Sequence, residues 1–300
     1  MSITQTLIEV FKNGSFTLKQ AYKACPNVNN ESVRARLYEK LGISFKRLGR
    51  GLYTTIDKDC LLIEGDGRNL GMIESNSIDC IITDHPWSDK KSNKGGNRNF
   101  AEYEVFEYSL NDFKEKARVL KDGSFLCECI PAENENNYEY LYHLKKMAEE
   151  AGFLYYAKVP WIKGTFVSNT GRKAKNSEDI IIFSKGKARN LRLDAKKTKQ
   201  TGKEYYMSGT NKMLPTAFNV QAVSNKNKIQ TSEKPVLLFE QLLSYVTKEN
   251  EVVIDQFAGS GSVGMACINT HRKCILFEKS KEAVTNIVNR LNLHMILPQE

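Results

Sequence analysis

The stretch VVIDQFAGSGSVGMACI, Val252–Ile268, decides the fold. Val252 to Asp255 is an apolar run of strand length that stops on an acid, and the residues after Gly261 read as a helix. CILFE, Cys274–Glu278, is a second strand that again ends on an acid. Strand, glycine turn, helix and strand make a nucleoside-cofactor layout in an open α/β sheet. Gly259 and Gly261 let the backbone approach a ligand closely, and the helix N-terminus offers free N–H groups. Glu278, at the end of the next strand, can accept from both ribose hydroxyls. The run from Gly259 to Gly264 also has the formal spacing of a dinucleotide fingerprint, so the glycines alone leave both cofactor types open.

Upstream, the apolar strand IDCIIT (Ile78–Thr83) runs into Asp84-His85-Pro86-Trp87. This places an acid, a proline-fixed turn and an aromatic at the carboxyl end of a strand, where open sheets bind ligands. An acid and a proline at such a place can also make a simple turn. Further strands are expected at Cys60 to Glu64, Ser124 to Ile130 and Ile180 to Ser184, alternating with helices, which predicts a doubly wound sheet.

Asp255-Gln256-Phe257-Ala258-Gly259-Ser260-Gly261 resembles the D-x-F-x-G-x-G cofactor turn of the amino-methyltransferases, and Asp84-His85-Pro86-Trp87 resembles their D-P-P-Y motif. Gly65-Asp66 after a strand, and Ser232-Glu233-Lys234-Pro235 before VLLFEQLLSYV, resemble two more of that family's stretches. With the catalytic motif ahead of the cofactor turn, residues 61 to 290 resemble the β group of S-adenosylmethionine-dependent DNA amino-methyltransferases. The resemblance implies a Rossmann-like methyltransferase sheet over residues 57–300 and S-adenosylmethionine as cofactor. It assigns cofactor binding to Asp66, Lys234, Pro235, Asp255, Phe257, Gly259, Ser260, Gly261 and Glu278. Phe257 would pack by the adenine and Lys234 would sit near the methionine carboxylate. Asp66 would serve the adenine or hold the catalytic loop, and a helix N-cap is the bland alternative.

The chemistry explains the catalytic residue types. An exocyclic amine is a poor nucleophile because its lone pair is delocalised into the ring, so the enzyme must favour a pyramidal nitrogen. By the resemblance, the Asp84 carboxylate and the His85 carbonyl accept the two N–H hydrogens, Pro86 fixes the turn, and Trp87 stacks on the flipped base. His85 stands where the family has proline. Because the role there is a backbone carbonyl, and a residue before Pro86 is already pushed to an extended conformation, the geometry can survive. A proton acceptor and a DNA contact are the other readings of this histidine.

Residues 1–56 differ in character. Helices are expected over Ile3 to Lys12, Leu18 to Ala24 and Glu31 to Leu41, the last capped by Asn30 and closed by Gly42, with Val33, Leu37 and Leu41 facing inward. SFKRLGRGLYTTI (Ser44–Ile56) then reads as a hairpin around Gly49-Arg50-Gly51. Three helices and a basic hairpin resemble a winged helix-turn-helix, which makes Arg34, Arg36, Lys46, Arg47 and Arg50 candidate DNA contacts. A small module that docks on protein is the alternative.

The net charge of +9 draws polyanions, and double-stranded DNA is the expected partner. The excess concentrates in a long loop expected over Lys185 to Lys234, of which residues 185–231 are the target-recognition segment that the resemblance implies. Ser88 to Asn99 is expected to be mobile until a ligand orders it. Seven scattered cysteines, without a Cys-x-x-Cys pair or histidines at ligand spacing, indicate neither disulfides nor a metal site. Cys127 and Cys129 would share one buried face of a strand. The opening residues lack a signal-peptide pattern and no segment is long enough to span a bilayer, so a cytoplasmic location is expected.

The expected function is therefore adenine-N6 methylation of duplex DNA by base flipping, since the family's cytosine-N4 members more often start the tetrapeptide with Ser. Cytosine-N4 methylation, methylation of RNA or of a protein amide, and a DNA-binding regulator without catalysis are the competing readings. Homodimerisation is a family habit, and a cognate restriction enzyme is a partner that this chain does not itself reveal.

Overall fold

The computed structural model describes all residues except 1, 12–14, 42–43, 56–59, 88–105, 165–176, 199–203, 225, 231, 292, 294–295 and 299–300. The N-terminal unit runs α1 (Ile3–Val10), β1 (Ser15–Thr17), α2 (Leu18–Ala24), α3 (Asn30–Glu39), β2 (Phe45–Gly49) and β3 (Leu52–Thr55). Ser2 with Gln5 and Thr17 with Gln20 form capping boxes that start α1 and α2. The strands pair antiparallel in the order β1-β3-β2. Leu7, Phe16, Val33, Leu37, Phe45 and Tyr53 are fully buried in a core that belongs to this unit alone.

Two expectations need adjustment here, and two fall outside the described residues. Asn29, not Asn30, caps α3: its backbone is extended and its side chain accepts from Ser32 N at 2.7 Å, whereas Asn30 is already helical. Leu41 lies past the helix end and is half-buried. Lys12, expected in α1, and Gly42, expected to close α3, lie outside the described residues.

The remaining chain runs β4 (Cys60–Glu64), β5 (Ile78–Thr83), α4 (Leu110–Val119), β6 (Leu120–Pro131), α5 (Tyr138–Glu150), β7 (Phe153–Ile162) and β8 (Ser177–Lys185). It continues with β9 (Arg192–Thr198), β10 (Glu204–Met207), β11 (Phe218–Asn219), α6 (Val236–Val246), β12 (Val252–Asp255), α7 (Ser262–Asn269), β13 (Lys273–Glu278), α8 (Lys281–Leu291) and β14 (Ile296–Pro298). Nine strands form one sheet in the order β11-β7-β8-β6-β5-β12-β13-β4-β14. Their pairings are parallel except those of β8, which is antiparallel to β6 and β7.

The central strands are buried on both faces, which is why they read as continuous apolar runs. Along β5, Cys80 and Ile82 enter the core under α6, α7 and α8, while Ile81 enters the core under α4 and α5. The result is a three-layer, doubly wound α/β fold. Cys127 and Cys129 share the first of these cores, and all seven cysteines are buried free thiols.

The expected bounds of β4, β5 and β12 match, whereas β6 and β8 extend beyond theirs. The loop expected over Lys185 to Lys234 is more structured than its composition suggests. It holds an antiparallel β9-β10 ribbon and the two-residue β11, which pairs parallel with β7 and forms the edge of the sheet. Lysine-rich Arg192–Thr198 has little strand propensity of its own, so the ladder to the aromatic EYYM run of β10 supplies what local sequence does not. The Ser88 to Asn99 loop lies outside the described residues. No helix among the described residues is long and apolar enough to cross a membrane.

Candidate active site

Four adjacent parallel strands, β5, β12, β13 and β4, end at one edge of the sheet, with Ile254 opposite Ile81, Asp255 opposite Leu276 and Glu278 opposite Glu64. Asp84, Asp255, Glu278 and Asp66 therefore gather at the carboxyl ends of neighbouring strands, the edge where open sheets bind ligands. The sequence spreads them over more than two thirds of the chain, and parallel pairing brings them together.

Asp84 is divided between two environments. Its Oδ2 accepts a hydrogen bond from Lys234 Nζ, while its Oδ1 is buried without a hydrogen-bond partner among the described residues. Lys234, 7% exposed, also lies 3.3 Å from Glu178 Oε2, and Glu178 Oε1 accepts from Lys163 Nζ. Burial opposes the charge on Lys234, but Asp84 and Glu178 outweigh it and hold the ammonium above its usual range. Burial likewise opposes the charge on Glu178, and Lys234 and Lys163 keep its carboxyl below the usual carboxylate range. At Asp84 burial wins, and its carboxyl is raised despite Lys234. Lys234, expected beside the cofactor carboxylate, is engaged by Asp84 and by Glu178. Pro235 behind it is buried at the entry to α6.

The glycine turn is tied down at several points. Gly259 and Gly261 have φ of +52° and +77°, a left-handed conformation that favours glycine, and Gly261 is the N-cap of α7. Gly259 N donates to Glu278 Oε2 and Ser280 N to Glu278 Oε1, each at 2.8 Å. Asp255 Oδ1 accepts from Phe257 N at 3.1 Å. Arg290 on α8 donates to Ser260 O at 2.9 Å, to Ser262 Oγ at 3.3 Å and to Glu233 Oε1 at 2.7 Å, which joins the turn to the Lys234-Pro235 entry.

Asp66 caps a turn, not a helix: it accepts from the Arg68 backbone at 3.0 Å and from its guanidinium at 2.9 Å, and no helix begins there. Arg68 lies over the Phe106 ring at 4.6 Å, and Phe106 meets half-buried Phe257 at 5.3 Å between centroids. An aromatic wall, an acid and a glycine turn that opens a helix suit an adenosine.

His85 is 1% exposed, which removes the reading of its side chain as a DNA contact. Its ring sits 4.4 Å from that of Tyr108, its Nε2 shares a hydrogen bond with the Tyr140 hydroxyl, and its Nδ1 is 3.5 Å from Glu128 Oε2. Pro86 and Trp87 are half-buried.

In the N-terminal unit, Arg34 and Arg36 are both exposed on α3, but two residues apart on a helix they project to different sides. Arg36 pairs with Glu39 at 2.6 Å. Arg34 lies 5.4 Å from the Tyr38 ring centroid, and Tyr53 donates to the Tyr38 hydroxyl at 3.0 Å. The Tyr38 phenol is lowered first by that hydrogen bond and then by Arg34, with Arg47 adding. Arg50 is exposed at the hairpin tip, and the side chain of Lys46 lies outside the described residues.

Glu178, Glu128, Lys116, Phe106, Arg68 and Arg290 were not anticipated. Glu128 carried a signal, an acid inside the apolar run LCECI that must find a buried partner. Glu178 heads an equally apolar strand. The others carry none that composition or spacing reveals.

A profile of the DNA methylase family, the N6/N4 methyltransferases, matches residues 78–289. The chain is 28% identical over 230 residues to the type II methyltransferase M.HpaI of Haemophilus parainfluenzae, covering 73% of this chain and 70% of that protein. It is 22% identical over 254 residues to the type II methyltransferase M2.LlaDCHI of Lactococcus lactis subsp. cremoris, covering 78% and 90% respectively. Its fold is similar to that of M1.HpyAVI in complex with S-adenosylmethionine, with a TM-score of 0.55, 21% identity, and coverage of 78% of this chain and 100% of that one. It is similar too to the cytosine-N4-specific PvuII DNA methyltransferase, with a TM-score of 0.51, 18% identity, and coverage of 81% and 98%.

Proposed function

As this chain belongs to the DNA methylase family of S-adenosylmethionine-dependent amino-methyltransferases, we propose that the amine it methylates is N6 of adenine in duplex DNA. The observation that carries the reading is Asp84: one carboxylate oxygen is held by Lys234, and the other is buried and unshared among the described residues at the carboxyl end of β5. That oxygen is an acceptor waiting for an N–H donor. With the His85 carbonyl as second acceptor, it draws both amine hydrogens out of the ring plane and frees the nitrogen lone pair. The raised Asp84 carboxyl also suits it to take the proton that the methylated amine must shed. An aspartate at the head of the tetrapeptide favours adenine over cytosine.

When bound, S-adenosylmethionine supplies a methyl group activated on a sulfonium sulfur. Asp255, Phe257, Gly259, Ser260, Gly261 and Glu278 would hold it, with Asp66 and the Lys234-Pro235 entry at the margins. Trp87 stacks on the extruded base, a contact worth about 1–3 kcal/mol that offsets part of the few kcal/mol of unstacking.

We assign residues 1–56 to duplex binding. The succession α1-β1-α2-α3-β2-β3 with strand order β1-β3-β2 supports a winged helix-turn-helix, with α3 in the major groove and the β2-β3 wing on the backbone. Arg34, Arg36, Lys46, Arg47 and Arg50 would contact DNA, and residues 185–231, with the β9-β10 ribbon, would read the target. The type II methyltransferases among the relatives support a cytoplasmic role beside a restriction enzyme.

The test is to incubate the purified protein with mixed-sequence duplex DNA and methyl-labelled S-adenosylmethionine, digest to nucleosides, and identify the labelled product by mass spectrometry. N6-methyladenine is expected. N4-methylcytosine would overturn the base assignment and keep the chemistry, and no label on DNA, with RNA and protein also unlabelled, would favour the regulator.

A further inference from the structure

Behind the catalytic turn, side chains from several elements meet in the core, where the amine-acceptor chemistry has no use for them. Lys116 on α4 and Glu128 on β6 are fully buried and paired through Nζ and Oε1. Tyr108 donates to Glu128 Oε2 at 3.3 Å, and the Lys116 ammonium lies 3.6 Å from the Tyr108 ring centroid. The same Glu128 oxygen is 3.5 Å from His85 Nδ1, and the other ring nitrogen of His85 bonds to Tyr140 on α5. Glu128 sits directly opposite Thr83, one residue before the catalytic acid.

A buried ion pair is poor evidence of stabilisation, because well-packed apolar residues of similar volume often serve as well or better. What apolar residues could not do here is bond His85 Nε2, as the Tyr140 hydroxyl does, and set a carboxylate 3.5 Å from Nδ1, an approach short of a made hydrogen bond. Where this family has proline, the ring fixes φ covalently; histidine leaves φ free, and Pro86 restrains position 85 in part. We propose that Glu128 and Tyr140 are positioning residues for methyl transfer, orienting His85 through the Tyr140 bond at Nε2 and the Glu128 carboxylate facing Nδ1, and so fixing its carbonyl in place of the covalent restraint of a proline. A carboxylate can only accept, so Glu128 favours the proton on Nδ1 and leaves Nε2 to accept from the Tyr140 hydroxyl. Lys116 and Tyr108 serve Glu128 in turn. Burial pushes the Glu128 carboxyl up, but Lys116 first and His85 next hold it below the usual carboxylate range, so it stays an acceptor.

The inference rests on the reading of the His85 carbonyl as an amine acceptor, and its test separates the two. Tyr140→Phe removes one hydroxyl from a partly buried helix position and is the variant least at risk of misfolding. It is expected to lower kcat about tenfold, the effect of roughly 1.4 kcal/mol, with little change in KM for S-adenosylmethionine. His85→Pro introduced into Tyr140→Phe should restore most of the lost kcat, because proline needs no grip. Collisional quenching of Trp87 fluorescence, read against the buried Trp161, should rise in Tyr140→Phe and fall back in the double variant. Unchanged kcat and quenching in a folded Tyr140→Phe protein, or no rescue by proline, would overturn the proposal. If the wild type methylates nothing, the functional reading fails, and the quenching series still decides whether the grip exists.

Discussion

Asp255 is 4% exposed, and its carboxyl is pushed up to about 7, first by burial and then by Asp84 and Glu278, against the opposing Phe257 N–H. An acid whose folded value exceeds its ordinary 3.8 keeps its proton longer in the folded protein. The stability it contributes is therefore complete below about pH 4 and is lost as pH rises through about 7, a swing of roughly 4 kcal/mol. Asp255→Asn keeps the acceptor for Phe257 N–H and removes the titration. Urea unfolding at pH 5 and pH 8 should show the variant gaining on wild type at the higher pH, and a constant difference would refute the assignment. Asp84→Ala should abolish turnover while titration calorimetry finds S-adenosylmethionine affinity nearly intact, because the carboxylate acts on the target amine. Acids such as Asp84 and Glu278 were legible because each ends an apolar strand. The partnership of Lys116 with Glu128 was not, since packing of α4 against β6, and no sequence spacing, decides which buried charge meets which.

The turns after β4 and β12 touch. Gln256 Nε2 donates to Gly67 O at 2.7 Å, and a Cβ added at Gly67 would collide with the Gln256 main chain. Gly67→Ala should force the turns apart at a cost of about 1–3 kcal/mol and weaken cofactor affinity, since Asp66 and Phe257 each lie one residue from the contact. Thermal unfolding and calorimetry read the two effects. In the other unit, Asn29→Ala removes the cap of α3 and should cost about 1 kcal/mol in urea unfolding. Strands buried on both faces announced themselves by apolar runs. β7 did not, because Lys158 and Pro160 break its run FLYYAKVPWI, and β11 is too short to carry one.

At the scale of the molecule, the change of pattern near residue 57 is the sequence's sign of a boundary, and Leu7, Phe16, Val33, Leu37, Phe45 and Tyr53 share a cluster of their own. Removing residues 1–56 should weaken duplex binding and flatten its dependence on salt, because fewer phosphates are neutralised, while S-adenosylmethionine binding persists. An unchanged slope would make the unit a protein-docking module. The sheet also imposes an order of assembly. β5, β6, β7 and β8 can find partners among one another as they leave the ribosome, so the acceptor half can take shape early. β4 cannot: its neighbours, β13 (Lys273–Glu278) and β14 (Ile296–Pro298), are made long after it. Until then its edges stand open to wrong partners, a hazard for the nascent chain that lasts until β13 and β14 arrive.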